Sequence, residues 1–156
     1  MSGAALSPAF HRLRDRIAIA GVGNTAHGNF PHTDDHGLGA EAFRCAIEDC
    51  SLDKNRVDGL GVCRLPCFAR MGGVLGLNPR WTVQFPPHGR MSAKAIIEAA
   101  AALEAGLCDY AALIYANTGR SRRANYGGEE SPGVWDPWGS SQAIRRPRSR
   151  RSRRRA

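Results

Sequence analysis

The residues of this 156-residue chain that bring chemistry with them are five cysteines, five histidines and a glycine-rich turn. The turn comes first. Ile17-Ala-Ile-Ala-Gly-Val-Gly-Asn-Thr-Ala26 is an apolar run leading into G-x-G-x-x-A, the pattern of a dinucleotide-binding strand and turn. In that use the helix begins inside the glycines, so that its free N–H groups meet a pyrophosphate, and an acidic residue follows about 20 positions on. Here a polar, His-rich loop of about thirteen residues separates Gly23 from the next helical pattern. Gly21 and Gly23 are therefore read as permitting a tight turn after a strand, with cofactor binding the weaker alternative.

His27, His32 and His36 share that loop with Asp34 and Asp35, but their spacing suits no metal-ligand motif, and a polar loop without metal is expected. Cys63-x-x-x-Cys67 is half of a zinc pattern with no second Cys/His pair at the required distance. Cys45, Cys50, Cys63, Cys67 and Cys108 are odd in number and follow no disulfide framework, which points to reduced thiols in a cytoplasm. Around Pro86-Pro-His-Gly-Arg-Met-Ser92, His88 reads as a loop histidine or an acid/base group, and Ser92 as a helix N-cap or a substrate contact. Lys94 is spaced to pair with Glu98.

The elements that must position these residues alternate. Residues 16–23 read as a buried strand, 37–50 as a helix with one apolar face, 57–63 as a strand, 65–78 as a glycine-interrupted helical segment and 81–85 as a strand. Residues 92–108 read as a long helix and 110–116 as a fourth strand, with Tyr110 and Tyr115 as packing residues. This is an α/β pattern with a largely parallel sheet. The long helix is Ala, Ile and Leu nearly all round, so one sheet covers only one side of it, and the pattern calls for a second layer from more chain or a partner.

The net charge of +8 is concentrated in eight arginines between Arg145 and Arg155, leaving the rest of the chain near neutrality. Such a tail binds polyanions non-specifically through counterion release, yet it has no aromatic residue for stacking. A solvated disordered tail, or the product of a frameshift near residues 140–144, are its other readings. No apolar run approaches the length of a membrane span, and residues 1–15 lack the apolar core of a secretory signal.

RIAIAGVGNTAHG, GAEAFRCAIEDCSLDKNRVDGLGV, LGLNPRWTVQF and AAAALEAGLCDYAALIYANTGRS, in that order, resemble the N-terminal half of a thiolase-superfamily protein of the sterol-carrier or lipid-transfer type. WDPWG at 135–139 fits the same family, and the likeness ends near residue 140. The resemblance implies an α/β thiolase-like N-terminal half, with a mixed sheet and a buried central helix. It divides the chain into a leader (1–15), an incomplete thiolase-like domain (16–124), an irregular segment (125–143) and the Arg-rich disordered tail (144–156). It implies an acyl-CoA acyltransferase of the acetyl-CoA acetyltransferase type, or an acyl-CoA C–C lyase of lipid or steroid metabolism. Coenzyme A thioester is then the substrate and no further cofactor is needed; the partners are a second copy in a homodimer, or a zinc-ribbon/OB-type companion.

In that family a nucleophilic Cys sits at the N-terminus of the long helix, where the dipole favours the thiolate. The matching position here is Gly89, so the nucleophile is absent, and His88 and Ser92 are the remaining candidates for chemistry at that turn. Arg90 and Lys94 are the cations the resemblance offers to CoA phosphates. Cys108, at the opposite end of the helix, is read as a packing residue. The acid/base groups of the family come from its C-terminal half, so this chain alone is expected to be inactive. An acyl-CoA or lipid-binding module, and a basic nucleic-acid-binding protein acting through its tail, are the alternative readings.

Overall fold

The computed structural model describes residues 13, 15–65, 67–85, 91–119 and 121. In order these form α1 (Asp35–Cys50), a single 3-10 turn (Lys54–Arg56), β1 (Gly59–Cys63), α2 (Phe68–Leu75), β2 (Trp81–Phe85), α3 (Met91–Glu104) and β3 (Ala111–Tyr115). The strands form one parallel sheet in the order β2-β1-β3, with Gly59 level with Trp81 and Ala111, and Cys63 level with Phe85 and Tyr115. Parallel neighbours need crossover connections, and α2 and α3 supply them.

The central strand β1 is buried along its whole length. Its alternating side chains build two unequal layers. Leu60 and Val62, fully buried, join Ile114 to meet Leu38 and Phe43 of α1 and Met71 and Leu75 of α2. Against α3 the layer is thin, with Cys63, Phe85 and Ala95 at its centre. Gly59 and Gly61 explain this, since a Cβ at Gly59 would fall 2.8 Å from Cys108 Sγ and one at Gly61 would fall 2.6 Å from Leu113 Cδ2.

The helices begin and end where local chemistry dictates. Asp34 caps α1 by accepting from Gly37 N at 2.8 Å, which starts the helix two residues before the expected Gly37 and draws Asp35 and His36 out of the loop and into it. α2 ends at Gly76 (φ 63°) and α3 at Gly106 (φ 69°), left-handed positions where glycine carries no Cβ penalty. Leu107 N bonds back to Ala102 O at 2.9 Å, so the helix expected to reach residue 108 stops earlier and Cys108 packs, 1% exposed, beyond its end.

The expected strand at 16–23 is not formed. Ile17–Gly23 forms no regular element and has no strand partner among the described residues, and Ile19 and Val22 are 75% and 70% exposed. Its glycines serve contact rather than a tight turn: neither has a left-handed φ, and a Cβ at Gly21 or Gly23 would collide with the carbonyl oxygens of Ala46 or Ala42 on α1. α3 buries one stripe, Ala95, Ala99 and Ala102, on the sheet, while Ile96 and Ile97 stay 53% and 61% exposed. The second layer that this helix calls for is absent among the described residues. No helix among them is long and apolar enough to cross a membrane. The tail at 144–156 and WDPWG at 135–139 lie outside the described residues.

Candidate functional site

In open α/β sheets ligands bind beyond the carboxyl ends of the strands, here the edge defined by Cys63, Phe85 and Tyr115. Three loops leave that edge, into α2, into α3 and out of β3. The loop into α3 carries His88, Gly89 and Arg90, all of which lie outside the described residues. Ser92 is described. It is the second residue of α3, exposed, and so stands inside the first helical turn rather than capping it. Lys94, two residues on, pairs with Glu98 and lies 5.3 Å from the centroid of the Phe85 ring.

Two thiols, Cys63 at this edge and Cys108 at the opposite edge beside Gly59, are poor nucleophiles. Burial pushes the Cys63 thiol up, against the opposing pull of Arg64, and burial with the nearby carboxylates of Asp58 and Asp109 pushes Cys108 up, against Arg80. None of the five cysteines is in a disulfide. Cys67 precedes α2 and makes no side-chain capping bond.

At the end of β3 a cavity of about 280 Å³ opens between the 23–28 loop, α1 and residues 115–121; Asn24, His27, Asn117, Thr118 and Ser121 are among its lining. Its walls are tied across the chain. Asp35 Oδ1 accepts from both Thr118 N and Thr118 Oγ1 at 2.5 Å, and Phe30 N donates to Ser121 Oγ at 2.8 Å. Asn117 Oδ1 accepts from Gly119 N at 2.8 Å. The three loop histidines are separated: His27 lines the cavity, His32 is exposed, and His36 is 3% exposed with Nδ1 3.7 Å from Asp34 Oδ2 and Nε2 without a hydrogen-bond partner. Tyr115, expected as a packing residue, is 53% exposed and lines the cavity; Tyr110 is half-buried, with its hydroxyl 2.5 Å from Arg56 Nη2.

The Asp35–Thr118 clamp and the Asn117 and Ser121 lining were not anticipated from sequence. Asp35 carried a usable signal, an acid in the first turn of a helix whose N-cap is Asp34. Residues 117–121 carried none. Chemically, this edge offers helix-terminal N–H groups, hydroxyls and amides that suit a polar ligand, and no activated thiol among the described residues.

No family model and no curated protein matches the chain in sequence. Solved structures do match its fold. A monomeric SCP2-thiolase like protein type 1 from Mycobacterium smegmatis superposes with a TM-score of 0.58 at 20% identity, covering 71% of this chain and 25% of that one. An Ltp2-ChsH2(DUF35) aldolase superposes with a TM-score of 0.63 at 23% identity, covering 72% of this chain and 30% of that one. Over about 70% of its length the chain therefore has a thiolase-like α/β fold. It spans less than a third of the length of either structure.

Proposed function

We propose that this chain works as part of a thiolase-like protein of lipid or steroid metabolism, holding an acyl-CoA thioester without forming an acyl-enzyme on itself. The observation that carries the reading is the thiolase-like fold, in which β2 leads through residues 86–90 to the N-terminus of α3 at the carboxyl edge of the sheet. That terminus favours anions and polarised carbonyl oxygens through its unpaired N–H groups. The absence of cysteine from residues 86–95, and the raised thiols of Cys63 and Cys108, support a non-covalent role. On this reading His88 and Ser92 are the candidates for chemistry at the thioester, and Arg90 and Lys94 the cations for CoA phosphates. Acyl transfer or C–C cleavage requires acid/base groups supplied from outside these residues. The likeness to an Ltp2-ChsH2(DUF35) aldolase supports a companion protein, for which the family resemblance implies a zinc-ribbon/OB type, with a homodimer as the alternative assembly.

Calorimetry with octanoyl-CoA and a thiol-release assay test this together. The 156-residue protein is expected to bind octanoyl-CoA at one site, to bind octanoate more weakly, and to release no free CoA. Absence of binding heat overturns the acyl-CoA reading, and steady CoA release overturns the non-covalent one. Salt-sensitive binding to duplex DNA, lost on deleting residues 144–156, favours the nucleic-acid reading instead.

A further inference from the structure

The second half of the glycine motif, Gly23-Asn-Thr-Ala26, lines the cavity of about 280 Å³ at the end of β3, together with the residues that leave the strand from Tyr115 to Thr118. Some of the lining groups hold the walls together. Asp35 fixes Thr118, and Phe30 N fixes Ser121 Oγ. Others are uncommitted: the side chains of Asn24, His27 and Tyr115 make no hydrogen bond to any described residue. All three are exposed at the cavity, so they are available to a ligand.

The chemistry of this lining restricts what enters. Among the described residues it contains no Lys, Arg, Asp or Glu. The N-terminus of α1, beside it, is where a phosphate would be held in a dinucleotide site, but it already carries two carboxylates. Asp34 accepts from Gly37 N at 2.8 Å and Asp35 accepts from Thr118. An anion would give up its water without gaining a cation and would meet like charge. An acyl chain would cover Phe30, Leu38 and Ala42 but leave Asn24, Thr25 and His27 stripped of water with nothing in return. The volume lies at the low end for ligand sites, so one ring-sized group enters and not a whole acyl-CoA. A neutral flat ring with hydrogen-bonding edges meets these limits. His27 and Tyr115 offer aromatic rings to pack on it, and the Asn24 amide presents a donor and an acceptor side by side. Adenine suits that amide best of the common bases, because its amino group has an acceptor on either side, N1 and N7, giving two pairing orientations where cytosine gives one.

We infer that this cavity holds an adenine ring, paired through its amino edge to Asn24 and packed against the rings of His27 and Tyr115, with the ribose and any phosphates outside it. A free nucleoside and the adenosine end of coenzyme A both carry this ring. The inference rests on the cavity and not on thioester binding at α3.

The test is a titration of the 156-residue protein with adenosine, cytidine and uridine, read from its amide NMR spectrum. Adenosine is expected to shift the amides of Gly23–Gly28 and Asn117–Gly119 and to saturate with a dissociation constant of about 1 mM, the affinity a ten-atom ring supplies. Cytidine and uridine are expected to bind about tenfold more weakly. Asn24→Ala is expected to weaken adenosine about tenfold and His27→Ala about fivefold, with the spectrum away from the cavity unchanged. Coenzyme A and octanoyl-pantetheine separate the sources. Shifts of the same amides by coenzyme A but not by octanoyl-pantetheine assign the ring to coenzyme A, and shifts by adenosine alone assign it to a nucleoside. Three results overturn the inference: no shift at these amides with adenosine at about ten times the expected constant, equal binding of all three nucleosides, or unchanged adenosine affinity in Asn24→Ala. Octanoyl-CoA binding without any adenosine shift leaves the thioester reading standing while this one fails. Adenosine shifts without octanoyl-CoA binding heat do the reverse.

Discussion

Asp58 shows how much of this structure hangs on single side chains away from the candidate site. One carboxylate oxygen accepts from Asp109 N and Tyr110 N at 2.9 Å each, and the other from Arg80 Nε at 2.9 Å and Nη2 at 2.5 Å. Its carbonyl also accepts from Arg80 N at 2.7 Å, so one residue fastens the starts of all three strands. Burial alone raises its pKa, but the bonds from Tyr110, Arg80 and Asp109 outweigh it and hold the carboxyl below the usual range. With the folded pKa depressed, its contribution is complete above the unfolded value of about 3.9 and is lost as pH falls through the folded value. Asp58→Asn is expected to flatten the acid limb of a stability-versus-pH curve measured by urea melts. Asp58→Ala, which leaves two backbone N–H groups without their acceptor, is expected to cost about 1–3 kcal/mol at pH 7. An unchanged acid limb in the Asn variant would show that Asp58 is not depressed. Gly23→Ala tests the contact reading of the glycine motif. Its Cβ meets the Ala42 carbonyl, so Ile17–Val22 must move off α1. Crystal structures or exchange rates confined to that segment are expected to report the shift, and no change would restore the tight-turn reading.

At the scale of elements, α2 is the shortest of the described α-helices and is anchored by its buried face. Its eight residues bury Met71 completely and Leu75 almost so, under Leu60 of β1 and beside α1. Met71→Ala is expected to destabilise the fold by about 2–5 kcal/mol, as deletion of a fully buried side chain does, with an unchanged denaturant slope. A loss below about 1 kcal/mol would mean that α2 is only loosely docked. The helical and strand periodicities that announced α1, α2, β1, β2, α3 and β3 were legible because each element repeats its apolar positions at its own period. Residues 16–23 misled for the same reason. Their apolar run has strand chemistry, but a strand forms only when a neighbour offers paired N–H and C=O groups, and β3 is not within pairing reach.

At the scale of the molecule, a three-stranded sheet with α1 and α2 on one face covers α3 on only one side. Ile97 and Leu107, 61% and 52% exposed, form part of the uncovered apolar surface. The double variant Ile97→Lys, Leu107→Lys is expected to keep the parent's melting temperature to within a degree or two while reducing dye binding and self-association. A large fall in melting temperature would show that another layer already covers α3. The thiolase-like fold covers about 70% of this chain, which spans less than a third of the length of its structural neighbours.

By itself the sequence determined the alternation of helices and strands, the parallel connectivity that short crossover helices impose, and the absence of cysteine at the start of α3, because these depend on local periodicity and residue identity. It also determined that α3 is too apolar for one sheet. Tertiary structure alone decided that Gly21 and Gly23 press on a helix, that Asp35 clamps Thr118 and Asp58 joins three strand starts, and that an apolar run stands apart from the sheet it was expected to enter. Those outcomes join residues 19 to 83 positions apart, as from Gly23 to Ala42 and from Asp35 to Thr118, and no local periodicity carries information over such a span.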